Sequence, residues 1–172
     1  MRSLTHDRIQ QKIQEKLPTS GRKCLEIEAK TKEFYRKQGF SDLTYIQAKS
    51  LPVICRKIDS ILIAPTGSGK TEASIMPVLT MIKESNKEHS NGIKALYITP
   101  LRSLNNDVFR RIEKYTSYQG LRLEIRHGDT SAIKKKKMSD NPPDVLITTP
   151  ETLGNILTNS KLIGHLATVQ WV

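Results

Sequence analysis

The segment that most restricts the fold is a glycine-rich stretch, Ala64-Pro65-Thr66-Gly67-Ser68-Gly69-Lys70-Thr71. An apolar run, Ile61-Leu62-Ile63, precedes it, and a helix-compatible stretch from Glu72 to Lys83 follows it. A strand, a glycine-rich turn and a helix N-terminus in this order form an anion site, because the N–H groups of the turn point inward and the helix dipole adds partial positive charge. The sequence therefore predicts a binding site for a nucleoside triphosphate.

The residues of this turn differ in what they can contribute. Gly67 and Gly69 allow a positive φ and a close approach of the backbone to phosphate oxygens. Lys70 can reach the β- and γ-phosphates, and the Thr71 hydroxyl can ligate the Mg²⁺ that they carry. We therefore take Lys70 and Thr71 as catalytic candidates, Thr71 as the metal ligand, and the nucleotide-binding set as Thr66, Gly67, Ser68, Gly69, Lys70 and Thr71. The usual pattern begins with glycine, where Ala64 stands here, and a glycine-rich turn that merely precedes a lysine is the alternative.

The charge of the chain indicates its partner. Its 172 residues suggest one domain, and 28 Lys and Arg against 17 Asp and Glu give a net charge of +11. Such an excess favours a polyanion, most simply nucleic acid. The sequence shows neither a membrane-length apolar run nor a signal-peptide core, and Cys24 and Cys55 form no CxxC pair. We therefore expect a cytoplasmic protein with reduced cysteines, and the scattered histidines predict no metal site.

Strand and helix patterns alternate along the chain. Helices are predicted over residues ~4–17, from Leu25 to Gln38 with Gly39 in the C′ position, and from Thr44 to about Lys57, with a break at Pro18-Thr19-Ser20-Gly21 and an interruption at Pro52. Residues 84–92 are predicted to form a loop. The predicted strands are Ile61-Leu62-Ile63, Ala95-Leu96-Tyr97-Ile98, Leu123-Glu124-Ile125 and Val145-Leu146-Ile147. This alternation predicts an α/β fold with a mainly parallel sheet flanked by helices, and ligands at the carboxyl ends of the strands.

Motifs in the order of a known motor domain accompany the glycine-rich turn. Gly39-Phe40 with Leu43-Thr44-Tyr45-Ile46-Gln47 resembles the adenine-sensing Q motif of superfamily 2 helicases of the DEAD/DEAH type. Thr99-Pro100-Leu101-Arg102 resembles motif Ia, and Thr149-Pro150-Glu151 resembles motif Ib, both of which grip a nucleic-acid strand in that superfamily. His127-Gly128-Asp129-Thr130-Ser131 falls where members carry another strand-contacting loop.

The match is narrower within that superfamily. Residues 64–72, 100–107 and 142–151 are similar to the large helicase-related group, whose members are mostly prokaryotic ATP-driven translocases and helicases. The resemblance covers residues ~34–172. It implies an N-terminal helical extension over residues 1–38, then an incomplete RecA-like P-loop domain over residues 39–172. It also implies ATP and Mg²⁺ as cofactors, single-stranded or partly duplex DNA or RNA as partner, and a second motor domain in the parent protein.

Each motif has a simpler interpretation beside the functional one. Gln47 can contact adenine through its amide, yet Thr44-x-x-Gln47 is also a capping box, and the two roles are compatible. Phe40 is expected to pack near the base, and the simpler alternative is that it anchors the helix ends. Thr99 could serve only as a helix N-cap.

The strand-gripping motifs share one design, in which a strand ends at a threonine and a helix begins at a proline. Free N–H groups at such a helix start can bind phosphate, and Arg102 adds charge. Backbone contacts of this kind predict binding that is independent of base sequence and falls steeply with salt. The candidate nucleic-acid contacts are Thr99, Pro100, Leu101, Arg102, Gly128, Asp129, Thr149, Pro150 and Glu151. The run Lys134-Lys135-Lys136-Lys137 is better interpreted as a solvated helix face, because consecutive residues of a helix point in different directions.

Superfamily 2 helicases also carry a DExD or DExH sequence on the strand after motif Ib, whose acidic residues hold Mg²⁺ and activate water. The sequence contains no Asp-Glu pair, and Ala167-Thr168-Val169-Gln170-Trp171-Val172 resembles the start of that strand. By the family's pattern the acidic strand lies beside the strand that leads into the P-loop. We therefore expect these 172 residues alone to hydrolyse ATP negligibly and to unwind nothing. A non-catalytic nucleic-acid-binding product of a truncated helicase gene is the alternative function.

Overall fold

The structure, a computed structural model, describes residues 19–85, 92–100 and 102–172, and the side chains of all of these except 19–20, 102–105 and 160–161. The chain divides into two compact units, Met1–Pro77 and Val78–Val172. The helix predicted over residues 4–17 lies outside the described residues, as do residues 86–91 of the predicted loop and Leu101.

Helices and short strands alternate along the described ranges. In chain order the elements are α1 (Thr19–Lys37), α2 (Tyr45–Cys55), α3 (Lys70–Ser85), β1 (Ala95–Ile98), α4 (Arg102–Gln119), β2 (Leu123–Arg126), α5 (Ala132–Asp140), β3 (Val145–Thr148), α6 (Pro150–Leu157) and α7 (Ser160–Leu166).

The first unit packs α1 against α2 and against the start of α3. Tyr35 of α1 is almost fully buried and donates from its hydroxyl to the carbonyl oxygen of Glu72 over 2.6 Å. The ring of Phe40 meets the Tyr35 ring edge-on at 5.5 Å between centroids. Phe40 therefore packs on α1, as the anchoring alternative describes, and its packing near a base stays a prediction.

The helix boundaries of this unit differ from the sequence predictions at two points. Helix α1 begins at Thr19 and not at about Leu25, so the break predicted over residues 18–21 is wrong at residues 19–21, and Pro18 lies outside the described residues. Small and hydroxyl residues that interrupt a helix elsewhere are common at its N-terminal positions. Pro52 lies inside α2 without ending it, three residues before the last residue, Cys55. Gly39 has φ +86°, and the helix-ending role predicted for it is confirmed.

The predicted strand Ile61-Leu62-Ile63 does not form. This run has no regular secondary structure, and the side chains of Ile61 and Ile63 are 87% and 86% exposed. A parallel strand needs a neighbour to take its backbone hydrogen bonds. No backbone hydrogen bond joins this run to another described segment, so the prediction of a strand here is wrong.

The second unit contains a parallel three-stranded sheet in the order β1-β3-β2. Val145 of the central strand is in register with Ala95 on one side and with Leu123 on the other. The parallel α/β arrangement predicted from the sequence is confirmed. Trp171 forms a single parallel bridge to Ala95 on the outer edge of β1, where the start of a further strand was predicted.

Helices cover the sheet of the second unit. Helix α4 packs against β2 and β3 and buries Ile112 and Tyr115. An apolar cluster joins the strands to α5, α6 and α7, and its buried members are Ile93, Leu96, Met138, Leu146, Ile156 and Leu162. The central strand β3 is buried at every residue, as expected for a parallel strand with neighbours on both sides. In the part of the chain that the structure describes, no helix is both long and apolar enough to cross a bilayer.

Candidate nucleotide site and nucleic-acid interface

The glycine-rich turn has the backbone conformation that its glycines predict. Gly67 and Gly69 have φ of +79° and +87°, a region that side chains with a Cβ rarely adopt. A Cβ built on Gly67 would meet nothing within 4 Å, whereas one on Gly69 would lie 2.6 Å from Nε2 of Gln47. The turn leads directly into α3, whose first residue is Lys70.

Lys70 is held by the turn itself. Its ammonium donates to the carbonyl oxygens of Ala64 at 2.6 Å and Pro65 at 2.8 Å. These contacts place the charge of Lys70 at the first two residues of the glycine-rich stretch. Thr71 is half-buried next to it, and Thr66 is exposed at the opposite end of the turn.

The Q motif is attached to this turn by its cap. Thr44 and Gln47 form the predicted capping box, in which Thr44 N donates to Gln47 Oε1 over 2.9 Å. The Thr44 hydroxyl also donates to the carbonyl oxygen of Ser68 over 2.9 Å. Sequence reasoning missed the bond from Thr44 to Ser68, because the Thr-x-x-Gln spacing predicts only the capping box. The conformation of the turn is therefore coupled to the start of α2.

The residues present fit a nucleoside triphosphate. Gln47 is only 1% exposed, and its Nε2, like the hydroxyl of Ser68, is buried without a hydrogen-bond partner. Buried polar atoms without partners are rare and costly, so two of them at one turn indicate a place where a ligand completes the hydrogen bonding. Among the described residues, no group of acidic, histidine and cysteine side chains is arranged to hold a metal by itself. Mg²⁺ here would depend on the Thr71 hydroxyl and on the phosphates.

The three candidate strand-gripping segments meet at one edge of the sheet in the second unit. Ile98 and Arg126, the last residues of β1 and β2, are both in register with Thr148, the last residue of β3. Thr99 N donates to the carbonyl oxygen of Thr148 over 3.0 Å, which fixes motif Ia beside motif Ib. The sheet thus brings together the carboxyl ends of three strands, each followed by a predicted contact segment.

Motif Ib is the better defined of the two strand-to-helix junctions. Thr149 caps α6, with its hydroxyl accepting from Thr152 N at 3.3 Å, and Pro150 is the first helical residue. Thr149 is 3% exposed, so its side chain serves the helix, while Pro150 and Glu151 face solvent. Contact with a nucleic-acid strand at this junction would come from backbone N–H groups.

Motif Ia is described only in part. Thr99 is buried and Pro100 is exposed, whereas Leu101 lies outside the described residues. Arg102 is the first residue of α4, and its side chain is likewise not described.

The third segment is a turn stabilised from both sides. His127 N donates to the Thr130 hydroxyl over 2.9 Å, and Gly128 and Asp129 form the exposed tip. Lys135, from the lysine run on α5, donates to the carbonyl oxygen of Gly128 over 3.2 Å. One lysine of the run therefore reaches this turn, and Lys134, Lys136 and Lys137 lie exposed on α5.

Arg126 at this edge was missed by the sequence reasoning, and His127 was named only as the first residue of the third segment. Arg126 ends β2 and His127 follows it, and each has a buried side-chain nitrogen without a hydrogen-bond partner. Burial lowers the pKa of the Arg126 guanidinium below its ordinary value. The position of Arg126 as the last residue of the strand Leu123-Glu124-Ile125-Arg126, directly before the third segment, was the only signal in the sequence.

The chain is similar to known helicases in sequence. The sequence profile of DEAD/DEAH box helicases matches residues 44–172. The ATP-dependent helicase Lhr-Core of Saccharolobus solfataricus is 34% identical over 146 residues, which are 79% of this chain and 17% of that protein. The Lhr-Core helicase of Methanothermobacter thermautotrophicus is 33% identical over 174 residues, which are 94% of this chain and 20% of that protein.

A solved structure agrees with the sequence matches. The Mycobacterium smegmatis helicase Lhr bound to ssDNA and AMP-PNP superimposes with a TM-score of 0.68 at 32% identity, over 81% of this chain and 19% of that one. The chain thus spans about a fifth of the length of these relatives. The predicted resemblance to the large helicase-related (Lhr) group is confirmed. The chain belongs to the DEAD/DEAH box helicase family.

Proposed function

We propose that this chain is the nucleotide- and nucleic-acid-binding part of an ATP-dependent DNA or RNA helicase or translocase. The turn at Gly67 and Gly69 carries the proposal, since its positive-φ glycines lead into a helix that starts with Lys70. Bound ATP would supply the energy of phosphoryl transfer. In this proposal Lys70 exchanges the carbonyl oxygens of Ala64 and Pro65 for phosphate oxygens, Thr71 ligates Mg²⁺, and Gln47 reads the base.

Nucleic acid is proposed to bind in the second unit, along the edge where β1, β2 and β3 end. The Lhr structure bound to ssDNA supports this partner class. Backbone N–H groups at the starts of α4 and α6, with Arg102 and the Gly128-Asp129 turn, would contact phosphates independently of base sequence. A second motor domain in the parent protein and a cytoplasmic location belong to the same proposal.

The 172-residue polypeptide by itself is proposed not to turn over ATP or to unwind a duplex, because its sequence holds no Asp-Glu pair to fix the metal and position water. Phosphate release from ATP should therefore be no faster than in a protein-free control, with and without an oligonucleotide. Turnover at ordinary motor rates that Lys70→Ala abolishes would contradict this part of the proposal.

Nucleotide binding is tested by titrating the chain with a fluorescent ATP analogue in the presence of Mg²⁺. Lys70→Ala should weaken binding about 10- to 100-fold, since a hydrogen bond to a charged group contributes ~1.5–3 kcal/mol. Lys83→Ala is the matched control, because it removes an exposed lysine from the other end of the same helix. Equal affinity of the two variants would rule out the proposed site.

A further inference from the structure

The two cysteines of the chain lie together in the first unit. Cys24 belongs to α1 and is only 7% exposed, and Cys55 is the half-buried last residue of α2. Both are free thiols, and the sequence contains no third cysteine. Neither thiol has a role in the proposed function.

The two thiols are in contact where α1 packs against α2. The Cys55 thiol donates a hydrogen bond to Cys24 Sγ, and the Cys24 thiol donates to Glu28 Oε1 over 3.6 Å. A thiol is a weak donor and a weak acceptor, so this contact by itself adds little to the stability of the fold. A disulfide, however, needs two sulfurs that can approach to ~2.05 Å without moving the backbone, and only side chains that already lie together meet this condition.

The two sulfurs differ in their access to solvent. A small molecule can reach Cys55 at the helix end, whereas the buried Cys24 can react only with a sulfur that is already beside it. Burial is the largest cause that raises the pKa of both thiols, so few of them are ionised at neutral pH and their reaction with another disulfide is slow. A slow reaction does not fix the position of the equilibrium, which depends on how closely the fold holds the two thiols.

A bond between these cysteines would close a loop that contains the capping box. Thr44 and Gln47 lie between Cys24 and Cys55 in the sequence, and the Thr44 hydroxyl donates to the carbonyl oxygen of Ser68 in the glycine-rich turn. Closing a loop restricts the unfolded chain and thereby stabilises the folded state. Oxidation of the pair would therefore stabilise the part of the first unit that holds the turn.

We propose that Cys24 and Cys55 form a reversible modification site, at which a small-molecule disulfide of the glutathione class oxidises them to an intramolecular disulfide. The inference goes beyond the proposed function and does not depend on it. In a reducing compartment such a bond is transient and follows the ratio of small disulfide to small thiol.

The reaction is two successive thiol–disulfide exchanges. The Cys55 thiolate attacks one sulfur of the small disulfide, which forms a mixed disulfide and releases one small thiol. The Cys24 thiolate then attacks Cys55 Sγ and expels the second small thiol. The chain loses two electrons and two protons, and the small disulfide takes them up as it becomes two thiols.

The test equilibrates the full chain with mixtures of oxidised and reduced glutathione at mildly alkaline pH, once folded and once in urea. After free thiols are trapped with N-ethylmaleimide, trypsin cuts behind Lys23 and Lys49 and releases peptides 24–30 and 50–56. A disulfide joins these two peptides, which mass spectrometry detects without reduction. The equilibrium constant for oxidation should be about 100-fold larger in the folded chain than in urea, the factor by which a disulfide typically stabilises a fold.

Two single variants serve as matched controls, because each keeps one of the thiols. Cys24→Ser should stop at the mixed disulfide between Cys55 and glutathione. Cys55→Ser should form its mixed disulfide about tenfold more slowly, since the remaining thiol is buried.

The outcomes decide the inference without reference to nucleotide or nucleic acid, so its failure leaves the proposed function untouched. An equilibrium constant in the folded chain at or below that in urea would overturn it, because the fold would then hold the sulfurs apart. Mixed disulfides on both cysteines without a linked peptide pair would overturn it as well. Melting gives an independent readout: the oxidised chain should melt about 10 °C above the reduced chain, and an equal or lower melting temperature would count against the inference.

Discussion

Ile63 and Ile147 occupy the same sequence pattern in two regions of the molecule and have opposite environments. Each belongs to a β-branched apolar run that is followed by a turn and the N-terminus of a helix. Ile147 is 0% exposed in a strand that is paired on both sides, whereas Ile63 is 86% exposed in a run without a strand partner. Local sequence therefore favours extended backbone in both regions, but a partner decides whether that backbone becomes a buried strand.

Helix capping in the two regions shows how little of the difference is local. Both regions use a threonine cap: Thr149 caps α6, and Thr44 caps the helix that is tied to the glycine-rich turn. Capping depends on residues within three positions of one another, so it is satisfied in either environment. Strand pairing depends on segments distant in sequence, and only the second unit provides them among the described residues.

Replacing the two isoleucines should produce the largest contrast. Ile147→Ala is expected to lower the free energy of unfolding by about 2–5 kcal/mol, because it removes buried methyl groups and leaves a cavity. Ile63→Ala should change it by less than about 0.5 kcal/mol, as for an exposed side chain. Urea denaturation of both variants measures the difference. A loss at Ile63 comparable to that at Ile147 would show that the run is buried in solution, and the comparison would fail.

The same distinction explains how far the sequence could predict the structure. The capping box at Thr44, the C′ glycine Gly39, and the strands around Ala95, Leu123 and Val145 were all predictable, because each rests on a short pattern with a known geometry. The order β1-β3-β2 and the unpaired run before the turn were not, since both depend on which segments find one another. Arg126 was missed for a related reason, because only the folded structure shows that its Nε is buried without a hydrogen-bond partner.

The glycine-rich turn gives a second, smaller contrast between two neighbouring glycines. Gly67→Ala should cost about 1–2 kcal/mol, the strain of a Cβ at positive φ. Gly69→Ala should cost about 1 kcal/mol more, the low end of the cost of overpacking, because its Cβ would lie 2.6 Å from Gln47 Nε2. Gln47 is buried and its Oε1 accepts from Thr44 N, so the amide can move only by breaking the capping box. Thermal and urea melts of the two variants measure the increment.

A double-mutant cycle assigns that increment to its cause. With Gln47→Ala in the background, the added methyl of Gly69→Ala meets no amide, and its cost should fall to that of Gly67→Ala. An increment that stays unchanged in this background would place the strain elsewhere in the turn. The contact between the added Cβ and Gln47 would then contribute nothing to the extra loss of unfolding free energy in Gly69→Ala.

The smallest expected effect concerns where the exposed run that contains Ile61 and Ile63 begins. Cys55 is the last residue of α2 and lies three positions before Ile58, whose side chain is 53% exposed. Burial is the main cause that raises the pKa of the Cys55 thiol to about 12, and the charge of Cys24 adds to it. Since the folded pKa exceeds the unfolded one, this thiol stabilises the fold fully below pH ~9, and the contribution is lost as the pH rises toward 12.

Alkylation by iodoacetamide, with peptide mass mapping to separate Cys55 from Cys24, measures this boundary. At pH 8, Cys55 should be alkylated about fiftyfold more slowly in the folded chain than in the urea-unfolded chain, because a thiol with a raised pKa is rarely ionised. The greater nucleophilicity of the thiolate that does form offsets part of this effect. The difference in unfolding free energy between wild type and Cys55→Ala should shrink from pH 9 upward. If Cys55 reacts at the unfolded rate, the exposed region that contains Ile61 and Ile63 extends back into α2. The contrast between the two regions would then begin before the unpaired run, at the helix itself.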